Sequence, residues 1–207
     1  MKARGIILMV LLMAVLSTSA QKPSAWKEGI YYDSNNQPKT GMISYAYSHK
    51  PVFRFKPADS SKEIRLKADD VKAFVVEKDS FIVMHNFKLD ARETASSNIP
   101  IDFVQVIESG SLMLYKHYSS VYSGGDSYST THGAAVAIGG TNMIETYIIR
   151  KPLSGAYWTI YSEPKRFKEQ LKEVFHSDEV MLFKISQDEV SYSELPELVR
   201  NYNQANK

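Results

Sequence analysis

The residues best placed to do chemistry gather in and around one stretch, "SSVYSGGDSYSTTHGAAVAIGGTNM", from Ser119 to Met143. It holds five of the chain's ten glycines together with Tyr122, Asp126, Tyr128 and His132, and His117 lies just before it. Imidazoles with a carboxylate are a metal donor set, so His117, Asp126 and His132 form one candidate. Local spacing gives that set no support, because no two of the five histidines fall within ten residues of each other. A phosphate loop needs G-x-x-x-x-G-K-[ST], with the lysine on the phosphates, and the stretch contains no lysine. The hydrolase elbow G-x-S-x-G is not met by "SGGDS" or "ESGSL", and the dinucleotide fingerprint G-x-G-x-x-G is missing too.

Asp69 and Asp70 are adjacent carboxylates, the residue type that glycosidases use as acid and base. In "KADDVKAF" they read more simply as a polar bend before a buried strand. The thirteen tyrosines are the compositional oddity. Tyr31, Tyr32, Tyr45 and Tyr47 fall on one predicted hairpin, and Tyr115, Tyr118, Tyr122 and Tyr128 approach and enter the glycine-rich stretch. Tyrosine suits strands, and it also gives recognition surfaces large area at low entropy cost. Tyr118, Tyr122 and Tyr128, with Asp126, His132, Val136 and Ile138, are therefore the candidate contact surface.

The elements that must position these residues are mostly strands. From Trp26 to Tyr118 short β-branched or aromatic runs alternate with turns such as "DSNNQPKTG", "KDS" and Ser109-Gly110, giving seven or eight antiparallel strands. "MIETYIIRK" and "AYWTIY" add two more, for about 9–10. Between them, residues 119–142 read as a long Gly/Ser/Tyr-rich loop, of a length that is usually functional or disordered. Val136 and Ile138 give its centre an apolar character that a purely solvated loop does not need, so it is expected to pack on the sheet or touch a partner or membrane surface.

After Tyr161 the period changes. Phe167, Leu171, Val174 and Phe175 fall at i, i+4, i+7 and i+8, one apolar stripe of a helix with Ser162 as expected cap and Pro164 in its first turn. "DEVMLFKI", starting at Asp178, predicts a second helix. Leu195, Leu198, Val199 and Tyr202 predict a third behind Ser193, so that helical structure runs from about 163 to 205. The expected fold is α+β: a sandwich- or barrel-like, mostly antiparallel sheet followed by two or three C-terminal helices.

Composition narrows function from outside. Lys2 and Arg4, the apolar run Gly5 to Leu16 and the small residues of "STSA" have the three-part layout of a signal peptide over residues 1–20. The mature chain, 21–207, reads as one domain with no membrane span, exported to the periplasm or outer membrane. No cysteine follows the apolar run, so the protein is not expected to be a lipoprotein. The chain has 25 Lys and Arg against 23 Asp and Glu; without the leader the balance is 23 against 23. That leaves no case for a nucleic-acid footprint, which needs clustered positive charge. With no cysteine at all, disulfides, thiolate metal sites and cysteine nucleophiles are excluded. No cofactor site is evident.

The succession "G…G.ISY…V.F…DDVKAF…FIV", "VIESGSLMLY", "YIIRK", "FKEQLKEVF" and "LPELVRNYN" resembles a family of uncharacterised exported proteins of Bacteroidota. These are β-rich envelope proteins that close with a helical segment ending near a Tyr-Asn pair. The resemblance spans most of 26–118 and 143–204 and leaves out the glycine-rich stretch. It implies an envelope location and a non-enzymatic role, with no catalytic residue to carry over. The expected function is thus a non-catalytic binding or structural module contacting another envelope protein or glycan. The alternatives are a small-ligand or lipid carrier on a barrel-like sheet, or a carboxylate-dependent hydrolase of envelope polymer.

Overall fold

Alternating apolar residues and short turns build antiparallel ladders one after another along the first three-quarters of the chain. The computed structural model describes residues 25–46, 51–89, 97–123, 127–129, 135–137 and 140–206. Its first strands are β1 (Lys27–Asp33), β2 (Pro38–Ser44), β3 (Val52–Pro57), β4 (Ile64–Lys67), β5 (Val71–Val76) and β6 (Asp79–Leu89). They are followed by β7 (Ser97–Glu108), β8 (Met113–Ser123), β9 (Ser127–Ser129), β10 (Ala135–Ala137), β11 (Gly140–Arg150) and β12 (Tyr157–Ile160). The β1–β2 turn is closed by Asp33, whose carboxylate accepts from the backbone N–H of Asn35 and Gln37, both at 2.9 Å.

Ten strands form one antiparallel sheet in the order β12-β11-β8-β7-β6-β5-β1-β2-β3-β4, and β9 pairs with β10 in a separate two-stranded ladder. Three helices follow: α1 (Pro164–Val174), α2 (Glu179–Ser186) and α3 (Leu195–Ala205). The α+β reading with helices last therefore holds. The sheet is curled but not closed into a barrel, and β4 and β12 are its edges. The free edge of β12 is covered by Gln170 of α1, which accepts from Tyr161 N–H at 2.8 Å and donates to the Thr159 carbonyl at 2.5 Å.

Register fixes which residues share a face. Phe81 lies opposite Gln105, and Gln105 lies opposite Lys116, so Phe81 and Leu114 point to the same side. That side carries two cores. Over β8, β11 and β12 the three helices bury Leu114, Ile149 and Ile160 under Phe167, Leu171, Val174, Leu195 and Val199. Over β1 to β7 the sheet curls onto its own aromatic residues. Phe53 on β3 and Phe103 on β7, five strands apart in the sheet order, bring their rings within 5.7 Å. Gly41 permits that curl, since a Cβ there would stand 2.2 Å from the Lys56 carbonyl oxygen and 2.8 Å from the Phe55 ring. The other side of the sheet holds a third core of Phe87, Leu89, Val104, Tyr115 and Ile148.

Three local expectations need correction. The span 119–142 is not one loop: β8 and β11 stay paired up to Ser123 opposite Gly140, and Tyr128 of β9 pairs with Val136 of β10. Backbone ladders, rather than apolar alternation, hold these polar residues in strands. Helix α1 is capped by Glu163, not Ser162; its carboxylate accepts from Lys165 and Arg166 N–H. Ahead of α3, Ser191 rather than Ser193 forms the capping box, with Glu194, around a 3-10 turn. Asp178 caps α2 as expected. Residues 1–20, expected as a leader, lie outside the described residues.

Candidate functional site

The candidate metal set resolves differently from its sequence reading. Asp126 and His132 lie outside the described residues, as does Ile138, and no group of three metal-type ligands occurs among the described ones. His117 is 2% exposed, and its Nε2 stands 2.9 Å from Oδ2 of Asp102 on the neighbouring strand β7. The ring of Phe87 meets it edge-on at 5.3 Å. The second ring nitrogen, Nδ1, is buried without a hydrogen-bond partner. A buried polar atom left unpaired costs about 1–3 kcal/mol, so His117 is tethered through Nε2 and unsatisfied at Nδ1.

The tyrosines divide between core and seam. Tyr31 and Tyr45 are aromatic-core residues; Tyr45 packs edge-to-face on Phe74, Phe81 and Phe103 at 5.0, 5.1 and 5.8 Å. Tyr47 lies outside the described residues. Tyr118, expected on a contact surface, is half-buried, and its hydroxyl donates to Gln105 Oε1 at 2.7 Å; Gln105 in turn donates to Asp79 at 2.8 Å. This polar chain runs between the helix-covered core and the aromatic core. Lys116 joins the same seam, 2.9 Å from Glu145. Burial alone pushes the Lys116 ammonium down, but the hydrogen bond and charge of Glu145, with the neighbouring Tyr147 hydroxyl, carry it above its ordinary value. Tyr122 takes a register position opposite Thr141 on the ribbon that β8 and β11 extend.

Asp69 and Asp70 line neither of the two recesses described below. Both are exposed on the 3-10 turn after β4, and Asp70 accepts from the Lys67 N–H at 2.8 Å. That matches the polar-bend reading.

A recess among the described residues is one that sequence reasoning did not find. A groove of about 650 Å³ crosses β5, β1 and β2 on the side away from the aromatic core. Ile30, Met42, Val75 and Ala58 line it, with Glu28 and Glu77 at its acidic end. Met42 lies opposite Lys56, which begins a cationic strip on the same face: Ser44 lies opposite Arg54, and Arg54 opposite Arg65. Like charges directly across a ladder disfavour pairing. Here Arg54 is held by Ser44 at 2.8 Å and by Glu63 at 3.6 Å. The Trp26 ring takes Arg54 at 5.1 Å and Lys56 at 5.0 Å. The groove thus grades from acid through apolar to base and aromatic. The only sequence signal for it is the alternation of Ile30, Thr40 and Met42 with core residues, which looks the same for any two-sided strand.

No family model, curated protein or solved structure matches the chain. Among the described residues no helix is long and apolar enough to cross a membrane.

Proposed function

We propose that this chain is an exported, non-catalytic envelope protein that works as a binding module through protein–protein contact. The groove across β5, β1 and β2 carries the reading: it opens outward, joins apolar walls to charges of both signs, and has Trp26, Met42 and Arg54 around it. Aromatic residues, Met and Arg are the types enriched where proteins bind one another. The curled half of the sheet is filled on its inner side by Phe53, Phe55, Phe74, Phe81 and Phe103, which favours surface contact over a ligand carried inside. The layout of Lys2, Arg4, the apolar run and "STSA" supports export, and with it a periplasmic or outer-membrane-associated place.

The test is a comparison of the natural chain with Met42→Arg in capture from envelope extracts of the producing cells. A central interface residue carries about 2 kcal/mol or more, so a partner held by the natural chain is expected to bind the variant at least ~10-fold more weakly, with unchanged thermal stability. Equal capture by both chains would remove the groove from the account.

A further inference from the structure

A second recess lies on the far half of the sheet, and its origin is a divergence of two strands. Pairing of β5 with β6 stops at Ala73 opposite Ile82, while β6 continues to Leu89 paired, among the described residues, with β7 alone. The side that β5 vacates is bridged further along by β12. There Tyr157 donates its hydroxyl to the Asn86 carbonyl at 3.3 Å, and the Thr159 hydroxyl donates to the Lys88 carbonyl. Between the end of the β5 ladder and this bridge is a notch of about 340 Å³, lined by residues that include Ile82, Met84, His85, Phe87, Arg150 and Tyr157. Its volume is in the range of small-molecule sites, with room for about ten heavy atoms at the ~30 Å³ a liquid water occupies.

The chemistry of the lining selects the ligand. Ile82, Met84 and Phe87 make the walls apolar, and no Asp or Glu is among the described lining residues. Arg150 is the permanent cation there, and among the described residues no carboxylate pairs with it. Arg150 is exposed, and its charge acts on the buried Tyr115 hydroxyl of the same face. Burial pushes that hydroxyl up and the charge of Arg150 draws it part of the way back. One planar fork of donors matches one carboxylate, whereas a phosphate dianion would ask for more cationic partners than Arg150 with the rim imidazole of His85 supplies.

We infer that this notch binds a small carboxylate on a short apolar stem, with Arg150 holding the anionic end and Ile82, Met84 and Phe87 taking the stem. The site is separate from the groove over β1, β2 and β5 and stands or falls independently of the proposed protein contact. Calorimetric titration of the full chain with hexanoate tests it, with hexan-1-ol as the uncharged probe of equal stem. Hexanoate is expected to bind saturably at one site, and Arg150→Gln to weaken it by about 10- to 100-fold, the worth of one charge-assisted hydrogen-bond pair. Hexan-1-ol should bind more weakly by a similar factor. Lys151→Gln, which removes the neighbouring charge that lies over Trp158, should leave affinity within about twofold. The thermal midpoint of each variant confirms that it is folded. Absence of saturable hexanoate binding, equal binding by Arg150→Gln, equal binding of the alcohol, or an equal loss in Lys151→Gln would each overturn the assignment.

Discussion

The C-terminal helix docks on the sheet through Leu195 and Val199, the Arg200–Glu108 pair and the buried amide of Asn203, and that amide is the most exacting point at which to probe the fold. Asn203 is 6% exposed; its amide donates to the Leu112 carbonyl and accepts from the Leu112 N–H, both at 2.8 Å. It does for Leu112 what a neighbouring strand would do. Asn203→Ala leaves two buried backbone groups unpaired at about 1–3 kcal/mol each, so about 2–6 kcal/mol together. At roughly 2–4 °C per kcal/mol for a chain of this length, the thermal midpoint falls by about 5 °C or more. Gly110 supplies the second arm of the experiment. A Cβ on it would stand 2.6 Å from Cγ, 2.8 Å from Oδ1 and 2.9 Å from Cβ of Asn203. Gly110→Ala therefore displaces the Asn203 side chain and costs about 1–3 kcal/mol by overpacking. In the Asn203→Ala background two of those three contacts vanish, and the penalty shrinks. Urea unfolding of the four chains, followed by tryptophan fluorescence, measures the coupling. The expected coupling is at least about 1 kcal/mol; costs that add within ~0.5 kcal/mol would refute the docking account.

Three further outcomes follow from the same geometry. Asp102→Ala removes the hydrogen-bond partner that buried His117 has among the described residues and should destabilise the fold by about 1–3 kcal/mol in the same urea assay, with no change if the pair is incidental. Glu163 is held below the ordinary carboxylate range by the backbone N–H of Arg166 first and of Lys165 next. Its stabilisation is full above the unfolded carboxylate pKa and is lost as pH falls through the lower folded value. Glu163→Gln should therefore flatten the acid side of the stability curve, and an unchanged slope would contradict the cap. Ser123 and Gly140 are ladder partners, so replacing 124–139 by Asn-Gly joins β8 to β11 through a two-residue hairpin. The thermal midpoint should stay within a few degrees of the natural chain's, and a global loss of stability would show that the excised residues belong to the core.

Much of the fold was legible because the helices and core strands carry strong periods. The stripe Phe167, Leu171, Val174 gave α1, and its residues are buried as the spacing required. The two stretches "VIESGSLMLY" and "LPELVRNYN" turn out to touch. Arg200 pairs with Glu108 at 2.6 Å, and Asn203 holds Leu112, so these separated patches answer to one contact. What escaped notice was non-local or polar. Asp102 and His117 meet only through the β7–β8 hairpin, across fifteen residues that no local pattern spans. The strands over 119–123 and 140–142 are paired through backbone groups, which leave no trace in a run of Ser, Gly and Thr. Glu163 beat Ser162 as the cap because Pro164 at the helix start places the Glu163 carboxylate beside the free N–H of Lys165 and Arg166. Both recesses arise from how the sheet coils and where strands diverge, which alternation alone does not encode.

The binding role is tested most directly by a photo-crosslinking residue placed at Met42 in the groove, with a second chain carrying it at the fully exposed Leu153 in the β11–β12 turn. Irradiation of the producing cells should give one discrete adduct from position 42, lost when Trp26 is changed to Ala, and none from position 153. No adduct at 42, or the same adducts from both positions, would contradict a protein-binding groove on β5, β1 and β2.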